Sequence, residues 1–231
     1  MAPVVSFVPI ADAPRIDGIA VVVDVMRAFT TAAWAFALGV ERIILTDTLA
    51  EALRLKAAIP GSLALKDDEP EPGFDLTNSP VMLREQTGLT GRTIVQRTNH
   101  GTQGAVAARN AGRRYCASFA CARATAAAIC QAGDGEVGFV ITGDDGTAAE
   151  DRACAEYIAA LIERPATDAG PYLAMAAASR AAARLHVRAA GDARGVHEDD
   201  VTLCLEADRF AFAMEARGEE GLLVLRRRHV P

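Results

Sequence analysis

No apolar stretch in this chain reaches the roughly 20 residues that a bilayer-crossing helix needs, so no membrane span is expected. The first residues lack a basic patch followed by an apolar run, so no secretory leader is expected either. Cysteine is scarce and unpaired in pattern. Five residues, at 116, 121, 130, 154 and 204, include no C-x-x-C pair and no cluster with histidine. An odd, scattered set suits reduced thiols in a cytoplasmic protein, and it excludes both a disulfide framework and a zinc site. The phosphate-loop, dinucleotide-binding and nucleophile-elbow glycine patterns are all missing, which argues against a P-loop NTPase, a nicotinamide enzyme and a serine hydrolase. Positive charge is short as well: 24 Lys and Arg face 30 Asp and Glu, for a net charge of −6. A nucleic-acid surface needs a basic stripe, and Arg226-Arg-Arg228 is too short to be one. Aromatic residues make up only 5%.

What is abundant is alanine, the best helix former, within a chain that is 51% apolar. The length suits a single domain over 1–231, or two small interleaved lobes with no visible boundary, with room for a large core. Strand and helix patterns alternate: strands at 19–23, 42–46, 93–96, 115–117 and 137–142, with helices at about 49–58, 102–111, 122–131 and 151–162. Such alternation predicts a three-layer α/β/α fold, with mostly parallel strands joined by helical crossovers. Two regions break the rhythm. Residues 66–80 are acidic and proline-rich and read as a long loop over the sheet edge. Beyond 163 the pattern predicts a helix at 171–185, a strand at 201–205 and a hairpin around Gly218–Gly221, giving an antiparallel end to a mixed sheet. An apolar C-terminal sheet edge makes a homodimer an expectation.

The richest segment is Ile19-Ala-Val-Val-Val-Asp24-Val-Met-Arg27-Ala-Phe-Thr30-Thr31. A β-branched run buried on both faces ends in an acid, a cation and two hydroxyls, then enters a helix that stops at Gly39. Ligands of open α/β sheets bind at that strand end, and helix N-termini favour anions. Asp24 could hold Mg²⁺ while Arg27, Thr30 and Thr31 grip a phosphate. It could equally cap the helix, with Arg27 pairing to it. Two further loops follow strands in the same way. Thr98-Asn99-His100-Gly101-Thr102 has the form of an anion cradle, or of an ordinary capped glycine loop. Glu150-Asp151 could bind a cation, activate water, or simply stabilise a helix first turn. Together the three loops supply carboxylates, hydroxyls and exposed backbone, as a metal-assisted phosphate site requires. His186, His197 and His229 have no visible partner and read as surface residues.

Several stretches, in order along nearly the whole chain, resemble motifs of the 2-phosphosulfolactate phosphatase family. Asp24-Val-Met-Arg27-Ala-Phe-Thr30-Thr31 is similar to its Asp-Val-Leu-Arg-Ala-(Thr/Phe)-Thr-Thr motif. Gly73-Phe-Asp75-Leu-Thr-Asn78-Ser79-Pro80 is similar to its Gly-Phe-Asp-x-Gly-Asn-Ser-Pro motif, and Thr93-Ile-Val-Gln-Arg-Thr98-Asn-His-Gly101-Thr102 to its strand and cradle. Ala117-Ser118-Phe119, Glu150-Asp151-x-x-Cys154 and Glu206-x-Asp208-Arg209-Phe210 resemble later landmarks. The resemblance implies a Mg²⁺-dependent phosphoric monoester hydrolase. It would convert 2-phospho-3-sulfolactate to 3-sulfolactate and phosphate on a route to coenzyme M or related sulfonates. Asp24 with Glu150 or Asp151 would hold metal or activate water, and Asn78 and Ser79 would help shape the anion pocket. The chain also departs from the motifs. Lys66-Asp-Asp-Glu-Pro-Glu-Pro72 stands where the family carries a Gly-Glu-Arg-Gly-Gly-like stretch, His100 replaces an asparagine, Thr77 a glycine and Cys121 an asparagine. A catalytically altered member that binds a small anionic metabolite, and a phosphatase with another substrate, are the competing readings.

Overall fold

The computed structural model describes residues 4–133 and 135–230. Among them are ten strands in one sheet: β1 (Val4–Pro9), β2 (Ile19–Val23), β3 (Arg42–Thr46), β4 (Leu63–Lys66), β5 (Leu76–Thr77), β6 (Thr93–Arg97), β7 (Arg113–Ala117), β8 (Glu136–Ile141), β9 (Phe212–Glu219) and β10 (Leu222–His229). The helices are α1 (Ala28–Ala37), α2 (Leu49–Ala58), α3 (Pro80–Arg84), α4 (Gly101–Ala107), α5 (Ala122–Ala132), α6 (Ala149–Glu163), α7 (Gly170–Ala177), α8 (Arg180–Ala190) and α9 (Asp200–Cys204).

The strand order is β1-β8-β2-β7-β9-β10-β3-β6-β4-β5. β1, β8, β2 and β7 form one parallel half-sheet, and β3, β6, β4 and β5 form another. The β9–β10 hairpin lies between them and pairs antiparallel on both sides. The mixed α/β sheet expected from the alternation is therefore present, but the two halves run in opposite senses. A flat sheet would put their carboxyl ends at opposite edges. Twist prevents that: at about 20–25° per step, the five steps from β2 to β6 accumulate on the order of 100°, and the sheet curls. The carboxyl ends of β2, β8, β6 and β4 thereby meet at one mouth.

α1 fills the concave side. Every residue from Ala28 to Phe36 is buried, as a helix apolar all round must be. It packs on Ala20 and Val22 of β2 and on Met214 and Leu225 of the hairpin. Trp34 meets Phe210 edge-on at 5.1 Å, and Phe36 meets Phe212 the same way at 6.2 Å. The opposite face of β2, formed by Ile19, Val21 and Val23, packs with α5 and α6 through Ala126, Ile129, Tyr157 and Ile158. α2 covers Ile44 and Val95. Helices on both faces give the three layers. α1 stops where Gly39 takes φ +90°, a left-handed conformation that glycine reaches without steric cost.

Three expectations need correction. The helix at 171–185 is two helices, because Ser179 starts α8 by accepting from the Ala182 N–H. The strand at 201–205 is α9, since five apolar-rich residues do not distinguish the two periods. The C-terminal hairpin is central, and the edges of the described sheet are β1 and β5; the dimer expectation loses the edge on which it stood.

Candidate active site

Asp24 follows β2 directly and is 7% exposed. Its backbone N–H donates to the Ala117 carbonyl, continuing the ladder to β7, and its carbonyl accepts from the Phe29 N–H. Oδ1 accepts from the Ala28 N–H at 2.9 Å, so the side chain caps the first turn of α1. Oδ2 accepts from no group among the described residues and points at the α4 entry. A Cβ built on Gly101 would stand 2.7 Å from it and 2.7 Å from the Ala28 Cβ. Only glycine lets the cradle approach this closely. Burial, reinforced by the nearby Asp67 carboxylate, pushes Asp24 up to about 6.

Asp151, at the start of α6, is buried and differently employed. Oδ1 accepts from the Val25 N–H at 2.8 Å and Oδ2 from the Gly143 N–H at 3.0 Å. The side chain thus clamps the turns after β2 and β8 together. Burial, followed by the charges of Asp24 and Glu150, raises it well above the usual carboxylate range. Glu150 is 4% exposed beside it, raised by burial and partly relieved by the Ser179 hydroxyl. The three acids form one electrostatic cluster, as the loop-end argument expected. Among the described residues no group of three His, Cys, Asp or Glu side chains stands close enough to enclose a metal ion.

Across the mouth, Thr98 and Thr102 close the cradle on itself. The Thr98 N–H donates to Thr102 Oγ1, and the Thr102 N–H donates to Thr98 Oγ1. His100 is exposed at the entry to α4, and its charge acts on Asp24. One further cradle donor, the Asn99 N–H, is taken by a residue that the loop pattern did not single out. Asp67, just beyond β4, accepts from the Asn99 N–H and from Asn78 Nδ2, both at 2.5 Å. Asp68 accepts from Asn99 Nδ2 at 3.1 Å and from Arg188 Nη1 at 3.0 Å. Residues 67–75 therefore reach into the mouth as well as lying along the sheet edge. Asn78 Oδ1 is buried with no hydrogen-bond partner among the described residues.

Arg27, Thr30 and Thr31, expected to grip phosphate, and Ser79, expected to shape the anion pocket, are all buried. Arg27 is buried, and its Nη1 donates to Asp200 Oδ2 at 2.5 Å and to the Gly195 carbonyl at 2.9 Å. Ser79 caps α3 and donates to Asp200 Oδ1 at 2.6 Å. Thr30 donates to the Val25 carbonyl at 2.8 Å inside α1. Thr31 is fully buried, and its hydroxyl has no partner among the described residues. Asp208, of the later landmark, accepts from the Arg123 N–H and the Tyr157 hydroxyl, tying α5 to α6 away from the mouth. Asp200 was legible only in hindsight, as an acid opening a short apolar segment. Asp67 lay in a run of acids with no period to set its direction.

Oxygen donors around the mouth include Asp24 Oδ2, Glu150 and the Asn78 amide oxygen. All are hard ligands, suited to a cation such as Mg²⁺ that keeps several waters and takes only one or two carboxylates. The 2-phosphosulpholactate phosphatase family model matches residues 8–219. A relative from Bacillus subtilis, named a probable 2-phosphosulfolactate phosphatase, is 35% identical over 147 residues, 62% of this chain and 63% of its own length. The chain thus spans slightly under two thirds of that protein. A Thermus thermophilus relative of the same name is 33% identical over 227 residues, 88% of this chain and 90% of its own. One from Deinococcus radiodurans is 35% identical over 153 residues, 62% of each chain. With most of its length matched, from β1 through β9, the chain belongs to the 2-phosphosulpholactate phosphatase family.

Proposed function

We propose that the protein is a Mg²⁺-dependent phosphatase of small acidic phosphate monoesters, and that its substrate is 2-phospho-3-sulfolactate, cleaved to 3-sulfolactate and phosphate. The observation that carries this reading is Asp24: a buried carboxylate at a strand end, with one oxygen capped by backbone and the other open toward the cradle. The matched family and its relatives' names supply the substrate class.

Asp24 Oδ2 and Glu150 would hold Mg²⁺, which when bound neutralises charge on the phosphoryl oxygens. The remaining work falls to the chain itself. Asp151 clamps the two strand ends, which would hold Asp24 and Glu150 toward one space. Gly101 keeps the cradle against Asp24, and Asn99 offers its N–H to an anion that displaces Asp67. His100, exposed beside Asp24, would hand a proton to the leaving alkoxide. Phosphoryl transfer is mostly positioning and charge stabilisation, so this division of labour suits it.

The test is phosphate release from 2-phospho-3-sulfolactate with and without Mg²⁺, beside Asp24→Asn. Metal-dependent turnover is expected to drop about 10³-fold in the variant, with the circular-dichroism spectrum unchanged. Equal turnover in both proteins would remove Asp24 from the chemistry. One observation favours the second reading, a member that binds anions without turnover: Asp67 already takes the Asn99 N–H of the cradle and the Asn78 side-chain amide beside it. Metal-independent binding of 3-sulfolactate with no phosphate release would select it.

A further inference from the structure

α8 crosses the mouth. At its start Ser179 lies beside Glu150; beyond its end Gly195 sits so close to Asp68 that a Cβ would come within 2.2 Å of the Asp68 carbonyl oxygen. Its apolar side, Ala182, Leu185 and Ala189, packs with Met26, Val196 and Val201. Along the flank of that stripe stand Arg184 and Arg188, spaced i,i+4 and so pointing the same way, about 6 Å apart along the axis. Arg184 Nη1 reaches Asp144 Oδ1 at 3.4 Å, on the turn after β8. Arg188 Nη1 reaches Asp68 Oδ1 at 3.0 Å, on the turn after β4. The same Asp68 accepts from Asn99 of the cradle, and Arg184 is near enough to Glu150 to favour its ionised form. The two guanidiniums therefore bracket the site, one on the acid-cluster side and one on the cradle side.

We propose that Arg184 and Arg188 are the substrate's anion grip: they bind the carboxylate and sulfonate on neighbouring carbons of the substrate, exchanging Asp144 and Asp68 for them. This rests on the phosphatase reading for its substrate. A substrate with three anionic groups entering a mouth lined by Asp24, Asp67, Asp68, Asp144 and Glu150 needs cations at that mouth. Arg27 does not offer its charge there, because Asp200 neutralises it inside the protein. Arg184 and Arg188 have side chains 56% and 35% exposed, so their ion pairs are exchangeable rather than locked. The guanidinium fork matches carboxylate and sulfonate oxygens.

The experiment compares Arg184→Ala/Arg188→Ala with wild type on 2-phospho-3-sulfolactate and on p-nitrophenyl phosphate, an ester without other anionic groups. We expect KM for the first to rise about tenfold or more, kcat to stay within about threefold, and KM for the second to stay unchanged. A similar change on both esters, or none on either, overturns the proposal. Arg184→Lys/Arg188→Lys should recover part of the loss, and Arg54→Ala, an exposed arginine of α2 paired to Glu51, should behave as wild type. Asp68→Asn/Arg188→Ala separates gripping from neutralising: KM must stay high, and a return to the wild-type value would mean that Arg188 only cancels Asp68. Calorimetric titration with 3-sulfolactate stands apart from turnover. If no ester is hydrolysed, the phosphatase reading fails while the grip is still decided: binding lost in the double alanine variant supports it. Unchanged binding, or none by the wild type, overturns it.

Discussion

Asp24 and Asp200 are buried carboxylates on either side of one turn, and they are treated in opposite ways. Asp200 is fully buried and receives Arg27 Nη1, the Ser79 hydroxyl and the His197 N–H, with the Val81 N–H at 3.4 Å. Asp24 receives the Ala28 N–H alone, keeps an open oxygen, and has Asp67 and Glu150 as charged neighbours. Burial is common to both and explains neither. What differs is neutralisation. An acid whose charge is matched inside the protein holds the fold together, while one left unmatched at a mouth is poised to take a cation or a proton.

The largest effect should come from the matched corner. Arg27→Ala leaves Asp200 buried without its cation, a loss of about 3–5 kcal/mol, read as a melting temperature lower by roughly 10 °C. Arg27→Met/Asp200→Leu should regain much of that, since apolar replacement of both partners removes the uncompensated charge. An Arg27→Ala protein that melts like wild type but shows a raised KM would return Arg27 to the phosphate grip and erase the contrast.

A smaller loss is expected at the unmatched corner. Gly101→Ala drives a methyl into Asp24 Oδ2 and the Ala28 Cβ, costing about 1–3 kcal/mol, with turnover falling further than stability because the cradle shifts off Asp24. Thermal melts and phosphate release on the same sample check both; intact turnover would show that the close approach is packing alone.

The mildest effect is on pH. Because the Asp24 acidity lies at about 6 in the folded chain against an ordinary 3.8, the folded state holds this proton more tightly than the unfolded one. Its contribution is complete below pH 4 and is lost as pH rises through 6. Without divalent cation, Asp24→Asn should therefore be the more stable protein at pH 7.5, by at most about 3 kcal/mol, and should match wild type near pH 4. Added Mg²⁺ should close the gap by stabilising wild type alone. Denaturant titrations at the two pH values test it, and a gap independent of pH would mean that Asp24 is matched after all.

Much of the site was legible because its parts are local. An apolar run ending in Asp24, a glycine beside a threonine at 101–102, and paired acids at 150–151 each mark a strand end feeding a helix, and each lies at the mouth. The roles within those loops were less legible. Arg27 looks like a phosphate ligand and Ser79 like part of an anion pocket, but in the fold both pair with Asp200, more than a hundred residues from Ser79. α8 was hidden because alanines run through 173–183 with little contrast, so the cap at Ser179 was the only boundary signal. Arg184 and Arg188 gained meaning only once that helix had a position.

By itself the sequence determined the elements and the acids at their ends, since strand and helix periods and capping residues act over a few positions. It did not determine that the loops meet. Two parallel half-sheets of opposite sense would hold their carboxyl ends apart, and it is the central β9–β10 hairpin and the accumulated twist around α1 that turn them onto one mouth. That outcome belongs to the tertiary structure, because it depends on pairing between strands such as β7 and β9 that lie about a hundred residues apart.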